Sequence, residues 1–192
     1  MGSKKRTCNM PHTLHHIAMS MYPPRQSEWW WTLANSDDLE LYNMPGHLVR
    51  RMAQVGASVF VEAAARAGYD LTSVQYAALK AIERYSGIDQ TTLAGAIAYD
   101  RTTIGGVIDR LEQKKFVIRK VSPNDRRVRQ LFLQPSGVEA IRCIDSMVEE
   151  VQSAILSGLD TKEKATFLKL LRKAADGANE LSRAPLRLVK EP

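Results

Sequence analysis

The sequence predicts a mainly α-helical chain with one small β element, on three observations. Residues 99–133 run in the order helix, strand, charged turn, strand: a polar-started helix closes at Lys114 and Lys115, Phe116-Val117-Ile118 opens a strand, and Ser122-Pro123-Asn124-Asp125 turns the chain back into Val128, Leu131, Phe132 and Leu133. That same stretch holds nine Lys/Arg against four Asp/Glu, which is five of the six excess positive charges of the whole chain. Long helical patterns lie before and after it, and they exceed what one small hairpin-bearing module needs to cover its core. Together these predict a winged helix-turn-helix set within an intertwined α-helical homodimer, with a monomeric bundle as the competing reading of the flanking helices.

The totals fit this reading. A chain of 192 residues is long enough to bury a proper core as one domain. Its hydrophobic content of 44% and charged content of 25% are those of a soluble globular protein. The two cysteines, Cys8 and Cys143, are far apart, as expected in a reducing compartment rather than in a disulfide framework. No apolar run approaches the ~18 residues of a membrane-spanning helix. Lys4-Lys5-Arg6 resembles the start of a signal segment, but Asn9, Pro11, His12, His15 and His16 interrupt any apolar core, so a cytoplasmic location is expected.

In chain order, residues 1–40 read as an N-terminal arm without sustained periodicity, expected to be largely loose. Trp29-Trp30-Trp31 within it would be a costly exposed surface, so packing onto the folded body or a partner chain is expected. Cys8, His12, His15 and His16 lack the closed ligand set of a structural zinc site, and no metal or cofactor is expected. Residues 41–70 supply a dimerisation helix from Pro45 to about Ala67, stopped by Gly68, with a buried stripe of Leu48, Met52, Val55, Val59, Phe60 and Ala63.

Residues 71–135 hold the helix-turn-helix and the basic hairpin; because clustered cations on one such unit attract a polyanion, this module is expected to bind DNA. Thr72 caps a helix through about Tyr85 with Val74, Ala77, Ala78, Leu79 and Ile82 inward; Asp89 caps a short helix to about Ala96 with Leu93, Ala94 and Ile97 inward. After the turn Ala98-Tyr99-Asp100, a second helix starts at Arg101, with Asp100 placed to cap it. Gly105-Gly106 within that helix points to close approach by a neighbouring element, at roughly 1 kcal/mol per glycine. Residues 136–192 supply the C-terminal dimerisation helices. The first runs from Val138 to about Leu156, with Val138, Ile141, Ile144, Val148, Val151 and Ile155 near a pairing-seam period. The second runs from Lys162 to about Ser182 after a Thr161 cap, with Phe167, Leu168, Leu171, Ala174, Ala175, Ala178 and Leu181 as its apolar set.

Leu71–Ile82, Asp89–Gly137 and the flanking long helices resemble the MarR family of winged-helix transcription regulators over roughly Leu41 to Leu181. The run Asp100-Arg101-Thr102-Thr103, Arg110-Leu111-Glu112 and Asn124-Asp125-Arg126-Arg127 carries the likeness. Two positions depart from it: Ser122 stands where the family often has Asp, and Lys115-Phe116 where it usually has Gly-Leu. The resemblance implies a homodimer whose reading helices enter successive major grooves of a pseudo-palindromic double-stranded operator while the wings reach the minor groove. By position it assigns Asp100, Arg101, Thr102, Thr103 and Arg110 to the reading helix. Arg101 is suited to guanine, and the threonines to phosphate or a thymine methyl. At the wing it assigns Arg127, held by Asp125, to the minor groove, and Arg126 and Arg129 to phosphates.

The PGHLVRR start at 45–51 further resembles the family branch that answers to small aromatic carboxylates, such as a hydroxynicotinate or hydroxybenzoate. Arg50 and Arg51 would present a planar fork to the acid, with His47 and Tyr76 adding hydrogen bonds. Pairing of the same arginines with acids across a dimer is the competing reading. The sequence has no G-x-S-x-G, phosphate-cradling glycine loop or paired-carboxylate constellation, so no enzyme is expected. The expected function is thus a repressor released by an aromatic acid. The alternatives are redox sensing through Cys8 or Cys143, the latter read as core, and a winged helix used for protein contact, which would not need three wing arginines.

Overall fold

A computed structural model describes residues 39–189, so Trp29, Trp30, Trp31, Cys8, His12, His15 and His16 lie outside the described residues. The chain divides into two units, Met1–Arg51 and Met52–Pro192. A 3-10 turn over Glu40–Asn43 precedes α1 (Pro45–Arg66), whose first position is the proline, where no backbone donor is lost. Then follow α2 (Ser73–Arg84), α3 (Gln90–Ala96), α4 (Ile104–Gln113), β1 (Val117–Val121), β2 (Arg129–Leu133), α5 (Pro135–Ile155) and α6 (Thr161–Gly177). A 3-10 turn over Asn179–Leu181 follows α6.

Local chemistry sets these boundaries. Thr72 and Gln75 form a reciprocal capping box at α2: Gln75 N–H donates to Thr72 Oγ1 (3.3 Å) and Thr72 N–H to Gln75 Oε1 (3.1 Å). Asp89 caps α3 by accepting from Thr91 and Thr92 N–H at 2.8 and 3.0 Å. Asp160, not Thr161, caps α6, because its carboxylate reaches Lys162 and Glu163 N–H while Glu163 reaches back to Asp160 N–H. α6 also ends at Gly177, short of Ser182. α5 includes Pro135, Ser136 and Gly137 in its first turn, since proline at the first position suits a helix start.

Three helix ends share one device. The N–H groups of Tyr69, Tyr99 and Phe116 each bond back to Ala64, Ala94 and Leu111 across a residue of positive φ: Gly68, Ala98 and Lys115. A left-handed backbone costs a residue with a Cβ roughly 1–2 kcal/mol. Lys115, at φ 60°, sits where the sequence departs from a usual glycine, and its side chain is exposed. Lys115→Gly is therefore expected to stabilise the protein by about 1 kcal/mol, after allowance for glycine's greater freedom when unfolded. Thermal melting should show a rise of about 2–4 °C; a fall would contradict this assignment.

The core belongs to the second unit. Leu71, Leu79, Ile82, Leu93, Ile104, Ile108, Leu111, Val117, Leu131 and Ile141 are fully buried, each stabilising by roughly 1.5–3 kcal/mol relative to exposure. β1 and β2 pair antiparallel from Val117 opposite Leu133 to Val121 opposite Arg129. Of the α1 stripe, Phe60 and Ala63 are buried and Met52 and Val59 half-buried, whereas Leu48 and Val55 are exposed. Val138 on α5 and Leu168, Leu171, Ala174 and Ala175 on α6 are likewise exposed, as are Ala178 and Leu181 beyond it. The expected burial of Leu48 and Val55 is therefore corrected: helical periodicity places them on an apolar face, but no described residue covers that face or those of Val138, Leu168 and Leu171. Gly105 lies 3.4 Å (as its virtual Cβ) from the Gln90 side chain, while Gly106 faces open space, so only the first of the pair meets a neighbour.

Candidate nucleic-acid interface

The helix-turn-helix is built by α3 and α4, but its turn is longer than the sequence suggests. Helix α4 starts at Ile104, so Arg101, Thr102 and Thr103 sit in the turn before it, not in its first helical positions. The cause is Asp100. Its carboxylate accepts from Thr102 N–H (2.8 Å) and Thr102 Oγ1 (2.5 Å), while Thr103 Oγ1 donates to the Asp100 carbonyl (3.2 Å). This side-chain turn competes with helical pairing and delays the helix. The Thr102 hydroxyl, followed by its backbone N–H, holds the Asp100 carboxyl below its ordinary range. Arg101, Thr102 and Thr103 are exposed.

Within α4 the residues Ile104, Val107, Ile108 and Leu111 are buried, which is the i, i+3, i+4, i+7 stripe of a helix seated on a core. Arg110 is exposed on the other side. The basic residues then separate into two groups. Arg119 pairs with Asp109 (2.5 Å) and with Glu112, tying β1 to α4, and Lys114 pairs with Asp70 (2.8 Å). These two charges are committed to the fold. Arg101, Arg110, Arg126 and Arg129 have no ion-pair partner among the described residues, and all four are exposed. Lys120 lies over the Phe132 ring, 5.0 Å from its centroid.

At the hairpin tip the Ser122 N–H donates to Val128 O (3.0 Å), Asn124 N–H to Ser122 Oγ (3.3 Å) and Val128 N–H to Asp125 O (3.0 Å). Ser122 thus performs the turn-closing role for which a short Asp side chain is also suited. Asp125 grips Arg127 three times, accepting from its N–H (2.9 Å) and Nε (3.2 Å) on one oxygen and from Nη2 (3.2 Å) on the other. The Arg127 guanidinium, ahead of its backbone N–H, keeps the Asp125 carboxyl below its ordinary value. A depressed carboxyl keeps its partner above the ordinary value and loses it as pH falls through the lowered one, so the clasp is intact throughout neutral pH. The Arg127 side chain is nonetheless 92% exposed. The result is an arginine that is oriented yet uncovered, at the end of a rigid ribbon.

The residues expected to bind an acid are distributed between the units. His47, Arg50 and Arg51 lie on the opening turns of α1 in the first unit, where Arg50 Nη2 stands 3.5 Å from His47 Nδ1 and the Tyr42 and His47 rings are 5.9 Å apart. Tyr76 lies in the second unit, with its ring 5.3 Å from that of Phe60. Its hydroxyl donates to Asp145, whose other oxygen accepts from Lys80 at 3.0 Å. Burial, then the Asp145 carboxylate, pushes the Tyr76 hydroxyl above its ordinary pKa. Cys143 is half-buried rather than core: Tyr69 OH is 3.8 Å from its sulfur, which lies 3.4 Å from Glu139 Oε1. No cluster of three metal-ligating side chains occurs among the described residues. Nor does any described helix have the length and apolarity to cross a membrane.

One residue escaped sequence reasoning. Arg183, beyond α6, places Nε 2.9 Å from Asp100 Oδ2. Only the path of the chain after α6 brings the two together.

A helix-turn-helix followed by a two-stranded basic wing is a winged-helix module of the DNA-binding kind. The chain belongs to the MarR family of transcription regulators, whose pattern matches residues 71–128. It is 30% identical to the HTH-type transcriptional repressor NicR of Pseudomonas putida over 131 residues, 68% of this chain and 82% of that protein. The structure of the PcaV regulator of Streptomyces coelicolor with its natural ligand superposes with a TM-score of 0.66 at 30% identity, covering 73% of this chain and 98% of that one. BpsR of Bordetella bronchiseptica, described in terms of regulation of its DNA binding by 6-hydroxynicotinic acid, gives 0.63 at 28%, covering 69% and 94%. The family and these relatives are transcription regulators, not enzymes.

Proposed function

We propose that this regulator represses transcription by binding a pseudo-palindromic operator as a homodimer, and that a small aromatic carboxylate releases it. The observation that carries the duplex-binding part is the partition of charge described above. Lys114 and Arg119 are bound into the fold, whereas Arg101, Arg110, Arg126, Arg127 and Arg129 are exposed on the reading turn, α4 and the wing. Asp100, with Thr102 and Thr103 bonded to it, organises the turn that presents Arg101, and Asp125 aims Arg127. Clustered cations on one supersecondary unit attract a polyanion.

Dimerisation is supported by α6. Leu168 and Leu171 are 53% and 43% exposed on one face of the helix, an apolar surface that would be costly in an isolated chain and that a second copy would cover. In the second half of the proposal, His47, Arg50 and Arg51 on the opening turns of α1 recognise the effector's carboxylate. An arginine supplies the two-pronged partner that a carboxylate requires. The descriptions of BpsR and PcaV, proteins similar to this chain, support a small ligand, and BpsR supports a hydroxylated aromatic acid.

A thermal-shift panel of hydroxynicotinic, hydroxybenzoic and non-aromatic carboxylic acids tests the effector. An aromatic acid at a hundred times its Kd is expected to stabilise the wild type by about 2.7 kcal/mol and to leave Arg51→Ala nearly unmoved. Stabilisation of both proteins alike would remove Arg51 from the site, and no stabilisation by any aromatic acid would end the effector proposal.

A further inference from the structure

We infer that residues 179–189 form a strap that carries Arg183 to the reading turn, where Arg183 contacts the DNA backbone beside Arg101. The inference rests on the duplex-binding reading above. The strap is held independently of Arg183. Asn179 brackets Leu186, accepting from its N–H at 2.8 Å and donating to its carbonyl at 3.2 Å. Arg187 makes a two-pronged pair with Glu180 at 2.6 and 2.9 Å. Its backbone N–H donates to the carbonyl of Gly95 in α3 at 2.9 Å. Gly95 is buried, and a Cβ there would stand 3.1 Å from Arg187 Cβ, so the missing side chain makes room for the strap. Val189 packs against the core.

Held in this way, the strap sets Arg183 against Asp100, the carboxylate that shapes the turn bearing Arg101, Thr102 and Thr103. An ion pair this exposed holds little by itself, so anchoring is not its use. The Arg183 side chain is 87% exposed, with its Nε beside Asp100 Oδ2. No hydrogen bond from its two terminal nitrogens occurs among the described residues, so the planar guanidinium keeps donors for a phosphate. Arg183 thus stands beside Asp100 through one ion pair, whereas Arg127 is clasped by Asp125 through three hydrogen bonds, and the strap rather than the carboxylate sets the position of Arg183.

The test is equilibrium binding, by fluorescence anisotropy from 50 to 300 mM KCl, of two 30-bp duplexes. One is selected by the wild-type protein from a random-sequence library, and the other is an unselected random sequence. Loss of one phosphate contact changes the slope of log K against log salt by about 0.9 and the affinity at 0.1 M salt by roughly eightfold. Arg183→Ala and Arg183→Gln are expected to show that change per bound chain on both duplexes, with an unaltered thermal midpoint, and Arg183→Lys to retain most of the slope. Wild-type slope and affinity in Arg183→Ala would overturn the inference while leaving the duplex-binding reading intact. A loss confined to the selected duplex at unchanged slope would also overturn it, since it would mean that Arg183 only positions Asp100. A wild-type protein without salt-dependent duplex binding would overturn both.

Discussion

Replacing Arg127 by alanine is expected to weaken operator binding by about 1–3 kcal/mol per wing, or roughly 5- to 150-fold for each half-site. The side chain is 92% exposed, so its removal opens no cavity and the fold should not change. What is lost is an oriented cation. In the folded wing Asp125 has already restricted the guanidinium, so less rotamer freedom is lost on binding than for an untethered arginine. A narrow A·T-rich minor groove concentrates negative potential at the depth such a side chain reaches. The loss should accordingly be largest on operators with A·T pairs under the wing. Gel-shift titrations of wild type and Arg127→Ala against A·T- and G·C-substituted wing sites will measure it. Equal affinities for wild type and variant would remove the wing from the mechanism. Asp125→Ala should lie between the two, because the charge remains and only its aim is lost.

The second large effect concerns stability. Gly137→Ala is expected to cost about 3 kcal/mol, the upper part of the range for overfilling a packed site, and to lower the midpoint of thermal unfolding by about 6–12 °C. A Cβ at residue 137 would lie 2.3 Å from the Phe116 carbonyl oxygen and 3.0 Å from its carbon. Those are backbone atoms, and the same carbonyl accepts the Gln134 N–H at 2.9 Å, so it cannot swing aside without breaking that bond. The close approach sets the first turn of α5 directly on the start of the wing. A thermal melt of Gly137→Ala within 2 °C of wild type would show that the approach is looser than the geometry states.

Much of this architecture was legible in the sequence because its signals are local. Thr72, Asp89 and Gly68 mark helix ends through bonds to their near neighbours and Pro45 through its fixed φ, and those ends fall within a residue or two of expectation. The wing was legible because a charged turn between two apolar runs has few other ways to fold. The failures share the opposite property. Helix α4 starts late because the Asp100 side chain outcompetes the helix for Thr102, a contest that spacing alone does not decide. Leu168 and Leu171 were rightly placed on an apolar face, but periodicity names a face without naming what covers it. Lys114 and Arg119 count equally with Arg101 in a charge tally, yet Asp70, Asp109 and Glu112 claim them in space. Gly137 and Arg183 carry no local signal of their own. The importance of each comes from one long-range contact that no local pattern encodes.

The central claim is that the exposed arginines of the reading turn and wing grip duplex DNA as a twofold pair. Hydroxyl-radical footprinting on the selected operator tests it most directly. Two equivalent protected patches are expected, centred about one helical turn apart, roughly 10 bp, with flanking protection where the wings enter the minor groove. A single unpaired patch, or protection that persists unchanged in the Arg101→Ala, Arg127→Ala double variant, would contradict the claim.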